Sequence, residues 1–218
     1  MNKTPIFALK LATFVIALGY SLIIPVMPFY MKNLGAGGKE LGWLTAIYAL
    51  TQTLCAPFWG VLSDRIGRKP IISIGMLGYT ISLLLFGLAS SFWTLFIARA
   101  LSGVLSSATS VASLAYVGDS STEDERSKNM RQLGAAMSVG VMLGPLFGGI
   151  LAGYSLALPF FTGAGISFIA FLLIATVLPE SIERSGYPHK KDSFDFLALK
   201  SMLFGSAGII LILIFIVN

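Results

Sequence analysis

The sequence predicts an all-α integral membrane protein with several membrane-spanning helices. Its 218 residues are 56% hydrophobic and only 11% charged, and the mean hydropathy is +0.83. A soluble domain usually carries about a quarter charged residues, so most of this surface must face something other than water. The apolar residues also form seven runs, each close to the ~20 residues that a helix needs to cross a bilayer. A lipid environment accounts for all three observations.

The seven runs are separated by connections whose charge alternates along the chain. The runs span residues 6–30, 41–62, 70–90, 92–117, 132–154, 160–178 and 198–217. The connections after the second, fourth and sixth runs are charged, whereas those after the third and fifth carry no charge. Twelve Lys and Arg residues therefore fall on one membrane face, and only Lys32 and Lys39 fall on the other. This asymmetry predicts a cytoplasmic N-terminus.

An internal repeat suggests how the first six runs are arranged. Residues 56–62 (APFWGVL) and 144–150 (GPLFGGI) are similar and lie 88 residues apart. Three helices are thus followed by three of the same plan, and because three is odd the second set is inverted. Inverted three-plus-three repeats build six-helix halves of transporters. We expect a six-helix unit at 1–179, a cytoplasmic linker at 180–197 and the start of a seventh helix at 198–218.

The most specific stretch is residues 60–70, which places four charges and two glycines between two apolar runs. Charge alone would allow a solvated loop that only sets orientation. The pattern G-x-L-S-D-R-x-G-R-K, however, resembles the signature loop between the second and third helices of the major facilitator superfamily. The resemblance implies a conformational latch in which Asp119 pairs with Arg68 and Asp64 meets the second half of the transporter. The candidate latch residues are Gly60, Asp64, Arg65, Gly67, Arg68 and Asp119.

The first run carries a second motif. Pro25 and Pro28 bend a helix, and on that basis alone they could be a structural kink. The pattern L-G-x-x-x-x-x-P-V-x-P at residues 18–28 resembles the first-helix motif of twelve-helix drug/proton antiporters, in which this helix borders the central cavity. Gln52 in the second run could bind a substrate or only a neighbouring helix. The candidate cavity residues are Tyr20, Ile24, Pro25, Gln52 and Met137.

Arg99 is the single charged residue well inside an apolar run. Its burial costs ~3 kcal/mol on insertion scales, unless its head group extends outward to the membrane surface. The pattern Arg-Ala-Leu-Ser-Gly at 99–103 resembles the fourth-helix motif of the same antiporters, which implies a role in proton transfer. Because the first six runs have no Asp or Glu in their middle, we expect the exchangeable carboxylate in the second half.

The fifth run contains glycines four residues apart, which form a groove for another helix. The pattern G-x-x-x-G-P-x-x-G-G resembles the antiporter motif of the family, which separates drug/proton exchangers from facilitators and symporters. In the family this helix meets the other half, so we expect the groove to lack its partner here. The motif residues are Gly140, Gly144, Pro145, Gly148 and Gly149.

Together the four motifs resemble the N-terminal half of a drug/proton antiporter of the tetracycline and quinolone efflux type. The resemblance implies alternating-access export of an amphipathic drug against protons, in the plasma membrane, with a C-terminal half as partner. The net charge of +5 serves orientation and needs no nucleic acid, and we find no enzyme, metal or cofactor motif. Two alternatives stay open. A facilitator-type carrier of a sugar or other metabolite would share the signature loop but need not have the glycine–proline pattern of the fifth run, and the end at Asn218 would fit a truncated membrane protein without transport activity.

Overall fold

Six α-helices follow one another along residues 3–181, the part of the chain that the computed structural model describes. Each is joined to the next by a short connection, and no strand occurs within residues 3–181. The predicted linker beyond residue 181 and the predicted seventh helix lie outside the described residues. The helices are α1 (Lys3–Asn33), α2 (Gly38–Ile66), α3 (Arg68–Gly87), α4 (Phe92–Ser120), α5 (Glu123–Ala152) and α6 (Leu158–Val177).

The predicted all-α membrane fold is confirmed by the length and composition of these helices. Five of the six described helices are long and apolar enough to cross a membrane. The remaining helix, α2, has 29 residues but is less apolar, because Thr51, Gln52 and Thr53 interrupt its centre. The chain is therefore a multi-pass membrane protein.

The packing follows the inverted repeat that the sequence predicts. The first helix packs most extensively on α5, and the second packs on α4, while α3 lies against α4 and α6. The two glycines at corresponding positions of the repeat also have corresponding neighbours. Gly60 faces Val111 of α4, and Gly148 faces Leu22 and Pro25 of α1. A shift of 88 residues places Val111 between those two neighbours, so the repeat describes contacts as well as sequence.

The buried residues are concentrated in α1, α3, α4 and part of α6. They include a cluster of aromatic rings from α1, α3 and α6. The rings of Phe86 and Phe160 stack with centroids 5.4 Å apart, and Tyr30 meets Phe160 edge-on at 5.7 Å. The Tyr30 hydroxyl donates to the carbonyl of Ala89 over 2.9 Å, so it is satisfied within the apolar cluster. The fifth helix, by contrast, exposes Met142 and other large apolar side chains, as expected for a surface that meets lipid or further helices.

One predicted connection is shorter in the structure than the sequence suggested. The charged connection predicted around residues 119–131 is almost entirely helical, because α4 continues to Ser120 and α5 begins at Glu123. Acidic residues in the first turn of α5 suit the positive end of a helix dipole, which explains why the charged segment is helical. The first helix also continues through both Pro25 and Pro28.

Candidate functional site

The signature loop is reduced to one residue between two helices. Gly67 separates α2 from α3 and has φ 111°, a backbone conformation that favours glycine. A Cβ atom at this position would also collide with the carboxylate of Glu180. Gly67 is therefore needed both for the turn and for the approach of that carboxylate.

Arg68, the first residue of α3, connects three helices through its side chain. Its Nε donates to Asp119 Oδ2 of α4 over 2.8 Å, the contact expected from the sequence. Its Nη1 donates to Ser63 Oγ over 2.6 Å and forms an ion pair with Asp64, both on α2. Ser63 in turn donates to the carbonyl of Gly60 over 2.8 Å. The Arg68 side chain is only 11% exposed, so these contacts hold it in place.

Glu180 adds a fourth element to this cluster, which sequence reasoning missed. Its carboxylate accepts the backbone N–H of Arg68 over 2.9 Å and that of Lys69 over 3.3 Å. These N–H groups lie at the N-terminus of α3, where a negative charge is favoured. An acidic residue directly after the sixth apolar run was the available signal. We call Ser63, Asp64, Arg68, Asp119 and Glu180 the loop cluster.

The candidate latch residues are not equally engaged in this cluster. Gly60 packs toward α4, and Gly67, Arg68 and Asp119 take part in the contacts above. The Asp64 side chain remains 57% exposed despite its ion pair, and Arg65 is exposed. Asp64 therefore has open surface available for a further partner.

Arg99 has a different environment on α4. The residue is 4% exposed, and its Cζ lies 4.5 Å from the ring centroid of Tyr48 and 5.3 Å from that of Tyr20. The two rings are themselves 5.0 Å apart. Arg99 Nε and Nη1 are buried and have no hydrogen-bond partner. The alternative in which Arg99 extends outward to the membrane surface is wrong, because the tyrosine rings enclose its head group.

Tyr48 contacts three residues that the sequence analysis proposed as separate candidates. They are Tyr20, Gln52 and Arg99. The Gln52 Nε2 donates to the Tyr48 hydroxyl over 3.2 Å, and that hydroxyl also lies 3.2 Å from Ser106 Oγ of α4. Sequence reasoning missed Tyr48, although it precedes Gln52 by four residues and so shares its face of α2. We call Tyr20, Tyr48, Gln52 and Arg99 the arginine cage.

Close packing of α2 on α4 positions this cage. A Cβ atom built at Gly103 would lie 2.6 Å from the carbonyl oxygen of Tyr48 and would overlap the Thr51 side chain. Only glycine lets the two backbones approach this closely. Gly103 follows Arg99 by one helical turn, so the close contact holds the guanidinium against Tyr48.

The other cavity candidates do not join the cage. Ile24 is 54% exposed and Met137 is 55% exposed, and none of the described side-chain contacts links either residue to Arg99. Pro25 is half-buried beside Gly148 at the interface of α1 and α5. The structure therefore unites Tyr20, Gln52 and Arg99 but leaves these three residues apart.

The glycine groove of α5 is occupied, contrary to the expectation from the sequence. Cβ atoms built at Gly140, Gly144 and Gly148 would meet the backbone of α1 at 2.6–2.9 Å. Across this interface Ser21 Oγ donates to the carbonyl of Gly140 over 3.1 Å. The sequence analysis expected the groove to lack its usual partner, the second half, but α1 of the same unit fills it. Pro145 and Gly149 lie outside the groove and are exposed.

The inverted repeat of membrane helices in the described part of the chain is the architecture from which each half of many secondary transporters is built. The chain belongs to the Major Facilitator Superfamily, whose family model matches residues 9–218. This membership agrees with the four sequence motifs and with their positions on the helices.

Two curated relatives are resistance proteins of bacteria. Multidrug resistance protein 2 of Bacillus subtilis (strain 168) is 40% identical over 181 residues, which cover 83% of this chain and 45% of that protein. Quinolone resistance protein NorA of Staphylococcus aureus (strain MRSA252) is 34% identical over 189 residues, which cover 86% and 48%. The chain thus spans about half the length of the curated relatives it matches.

Solved transporters share the fold at lower sequence identity. The human organic anion transporter MFSD10 (TETRAN) superposes with a TM-score of 0.74 at 22% identity, covering 83% of this chain and 48% of that one. A bacterial homologue of the human lysosomal transporter Spinster, inward-facing and occupied, gives 0.76 at 20% identity, covering 85% and 46%. These similarities establish the fold alone.

Proposed function

We propose that the chain is the N-terminal half of a proton-coupled exporter of amphipathic drugs that works by alternating access. The observation that carries this proposal is the similarity to two bacterial resistance proteins across more than four fifths of the chain. One of those relatives is named for multidrug resistance and the other for quinolone resistance. An efflux role also fits the sequence pattern of residues 140–149, which resembles the antiporter motif.

The loop cluster supplies the conformational latch in this proposal. Arg68 holds α2, α3 and α4 together at one end of the bundle, so the ends of these helices move as one body. Asp64 keeps open surface and is the group that would meet the second half. Breaking its contact with that half would allow the two halves to rock apart.

Arg99 supplies the positive charge for proton coupling. A guanidinium keeps its proton under physiological conditions, so Arg99 acts by its electric field on an exchangeable carboxylate rather than by carrying the proton. None of the described helices has an Asp or Glu in the middle of its apolar run. The proton carrier is therefore assigned to the second half.

The proposed organisation places residues 1–179 in the transporter half, 180–197 in a cytoplasmic linker and 198–218 in a seventh helix. The N-terminus is cytoplasmic in this proposal, because twelve Lys and Arg residues lie on that face and two lie on the other. The membrane is then the plasma membrane, from which a drug can be expelled to the outside.

Transport in inside-out membrane vesicles tests the proposal. The vesicles carry the protein as expressed from its native gene, and their lumen is acidified by respiration. We expect ethidium to accumulate inside, and we expect a protonophore to abolish this uptake. Competition by structurally unrelated cationic drugs separates drug export from sugar or metabolite transport. Vesicles that acidify normally but show no protonophore-sensitive ethidium uptake would contradict the proposal and favour a non-transporting membrane protein.

A further inference from the structure

We propose that the N-terminal parts of α1 and α5 form a binding groove for an anionic phospholipid, whose phosphate binds Lys10 and whose acyl chain lies between the two helices. The site is separate from the arginine cage and from the loop cluster, and it does not depend on the proposed transport function. The groove has a volume of about 450 Å³, and its lining includes Phe7, Lys10, Phe14, Gln132, Ala135 and Val139. We call it the lysine groove.

The packing of α1 on α5 explains the shape of the lysine groove. The two backbones approach closely at Gly140, where a Cβ atom would lie 2.6 Å from the carbonyl oxygen of Phe14. Ala135 lies just over one turn before Gly140 and lines the groove together with the larger side chains of Phe14 and Val139. A small residue beside larger apolar ones leaves a concave, apolar surface. Such a surface suits an acyl chain.

Lys10 gives this apolar groove a positive charge. It is half-buried, and its Nζ donates to Gln132 Oε1 over 3.1 Å. An ammonium has three N–H donors, and no other hydrogen bond of this one occurs within residues 3–181. The neutral Gln132 amide leaves the charge uncompensated. The Lys10 ammonium therefore has donors and charge for an anionic ligand.

The described surroundings of the lysine groove supply no anion of their own. Both ion pairs found within residues 3–181 belong to Arg68. No Asp or Glu occurs in α1, and none lines the groove. On α5 the nearest acidic residue, Glu125, precedes Gln132 by two helical turns. Charge complementarity therefore favours a negatively charged occupant over a neutral one.

The position of Lys10 along α1 favours a lipid over a soluble anion. Lys10 lies four residues inside the first apolar run, which begins at Ile6. A lysine near the end of a membrane helix reaches the level of the lipid head groups, and basic pockets between membrane helices bind anionic head groups. Phe14 and Val139 lie further along their helices from Lys10 and Gln132, so an acyl chain that starts at Lys10 runs past both.

Native mass spectrometry tests the site on the protein as expressed from its native gene and purified in a neutral detergent. We would titrate dioleoyl phosphatidylglycerol and, as the matched zwitterionic lipid, dioleoyl phosphatidylcholine. The first phosphatidylglycerol should bind about tenfold more tightly than the first phosphatidylcholine, as expected for charge-assisted hydrogen bonds. Glycerol phosphate carries the same phosphate without acyl chains and should not compete at millimolar concentration.

Four variants assign the preference to the lysine groove. Lys10→Gln should remove the difference between the two lipids, whereas Lys10→Arg should retain it because the charge stays. Ala135→Phe fills the groove from an exposed position and should abolish the tight binding although Lys10 is intact. Arg126→Gln removes an equal charge from an exposed residue outside the groove and should leave the preference unchanged. Circular dichroism confirms that each variant is folded.

The outcomes separate a lipid from the other possible occupants. Equal binding of the two lipids by the wild-type protein, the result expected if another helix covers the groove, would overturn the proposal. A preference that survives in Lys10→Gln or in Ala135→Phe would place the lipid elsewhere and would also overturn it. Competition by glycerol phosphate would indicate a site for soluble phosphates instead. If Lys10→Gln does not fold, Ala135→Phe and the competition decide.

Discussion

Two arginines of the same unit have opposite surroundings. Arg68 lies at the end of the bundle and forms ion pairs with Asp64 and Asp119, with Ser63 as a further acceptor. Arg99 lies within the apolar part of α4, where it contacts two tyrosine rings and has two donors without acceptors. The comparison separates a charge that holds helices together from a buried charge that contacts two aromatic rings and has donors without acceptors in the described part of the chain.

The difference indicates what each site can contribute to transport. A paired arginine stabilises one arrangement of helices, and it changes state only when its carboxylates move. An unpaired buried arginine is unfavourable for folding, so its presence at this position is consistent with the coupling role proposed above. The following predictions test this contrast, beginning with the largest expected effect.

Replacing Arg99 should abolish export without loss of folded protein. We expect Arg99→Gln to reduce the initial rate of ethidium uptake in vesicles by at least about 100-fold, because it removes the charge proposed to act on the proton carrier. Arg126→Gln provides the matched control and should transport at the wild-type rate. A rate for Arg99→Gln within threefold of the wild type would contradict the proposed role of Arg99 in export.

Replacing Gly67 by alanine should destabilise the protein more than the same replacement at Gly35. Gly67 and Gly35 both have positive φ, at 111° and 69°, but a Cβ atom meets Glu180 at the first position and nothing at the second. Gly35→Ala should therefore cost about 1 kcal/mol of strain, and Gly67→Ala about 2–3 kcal/mol. Chemical unfolding in detergent measures both values. Equal losses would show that the Glu180 contact contributes nothing.

Replacing each arginine by methionine should change stability in opposite directions. Arg68→Met removes charge-assisted hydrogen bonds, and we expect a loss of about 1–2 kcal/mol after allowing for the exposure of Asp64 and Asp119. Arg99→Met removes an unpaired buried charge and should raise stability by about 1 kcal/mol. The same unfolding assay compares the two variants. A loss of stability in Arg99→Met would mean that the guanidinium is paired after all.

The smallest change in stability is expected from replacing Glu40, whose carboxylate accepts a backbone N–H at the surface. The N–H of Glu40 itself and that of Gly37 hold the pKa of Glu40 below its ordinary value. The contact therefore stabilises the fold at neutral pH and is lost as the pH falls through this lowered pKa. Glu40→Gln should lower the melting temperature by about 1 °C at pH 7, and this difference should shrink as the pH falls through the lowered pKa of Glu40. A difference that grows on acidification would contradict this sign.

Much of the fold was predictable from the sequence because the signals are local. Apolar runs gave the helices, and the similarity of residues 56–62 and 144–150 indicated the inverted repeat. The candidate site was predicted less completely, since Tyr48 and Glu180 act through contacts between distant parts of the chain. The partner of the glycine groove was predicted wrongly for the same reason: Gly140, Gly144 and Gly148 specify a close neighbour but not which helix it is.

That groove also determines how the unit can deform. The backbone of α1 lies against three successive glycines of α5, so even one added carbon atom per contact would separate the helices. The two helices belong to different repeats, and this interlock prevents them from sliding past one another. The mechanical consequence is that α1 and α5 behave as one rigid pair, so a deformation of the unit must take place at interfaces other than this one.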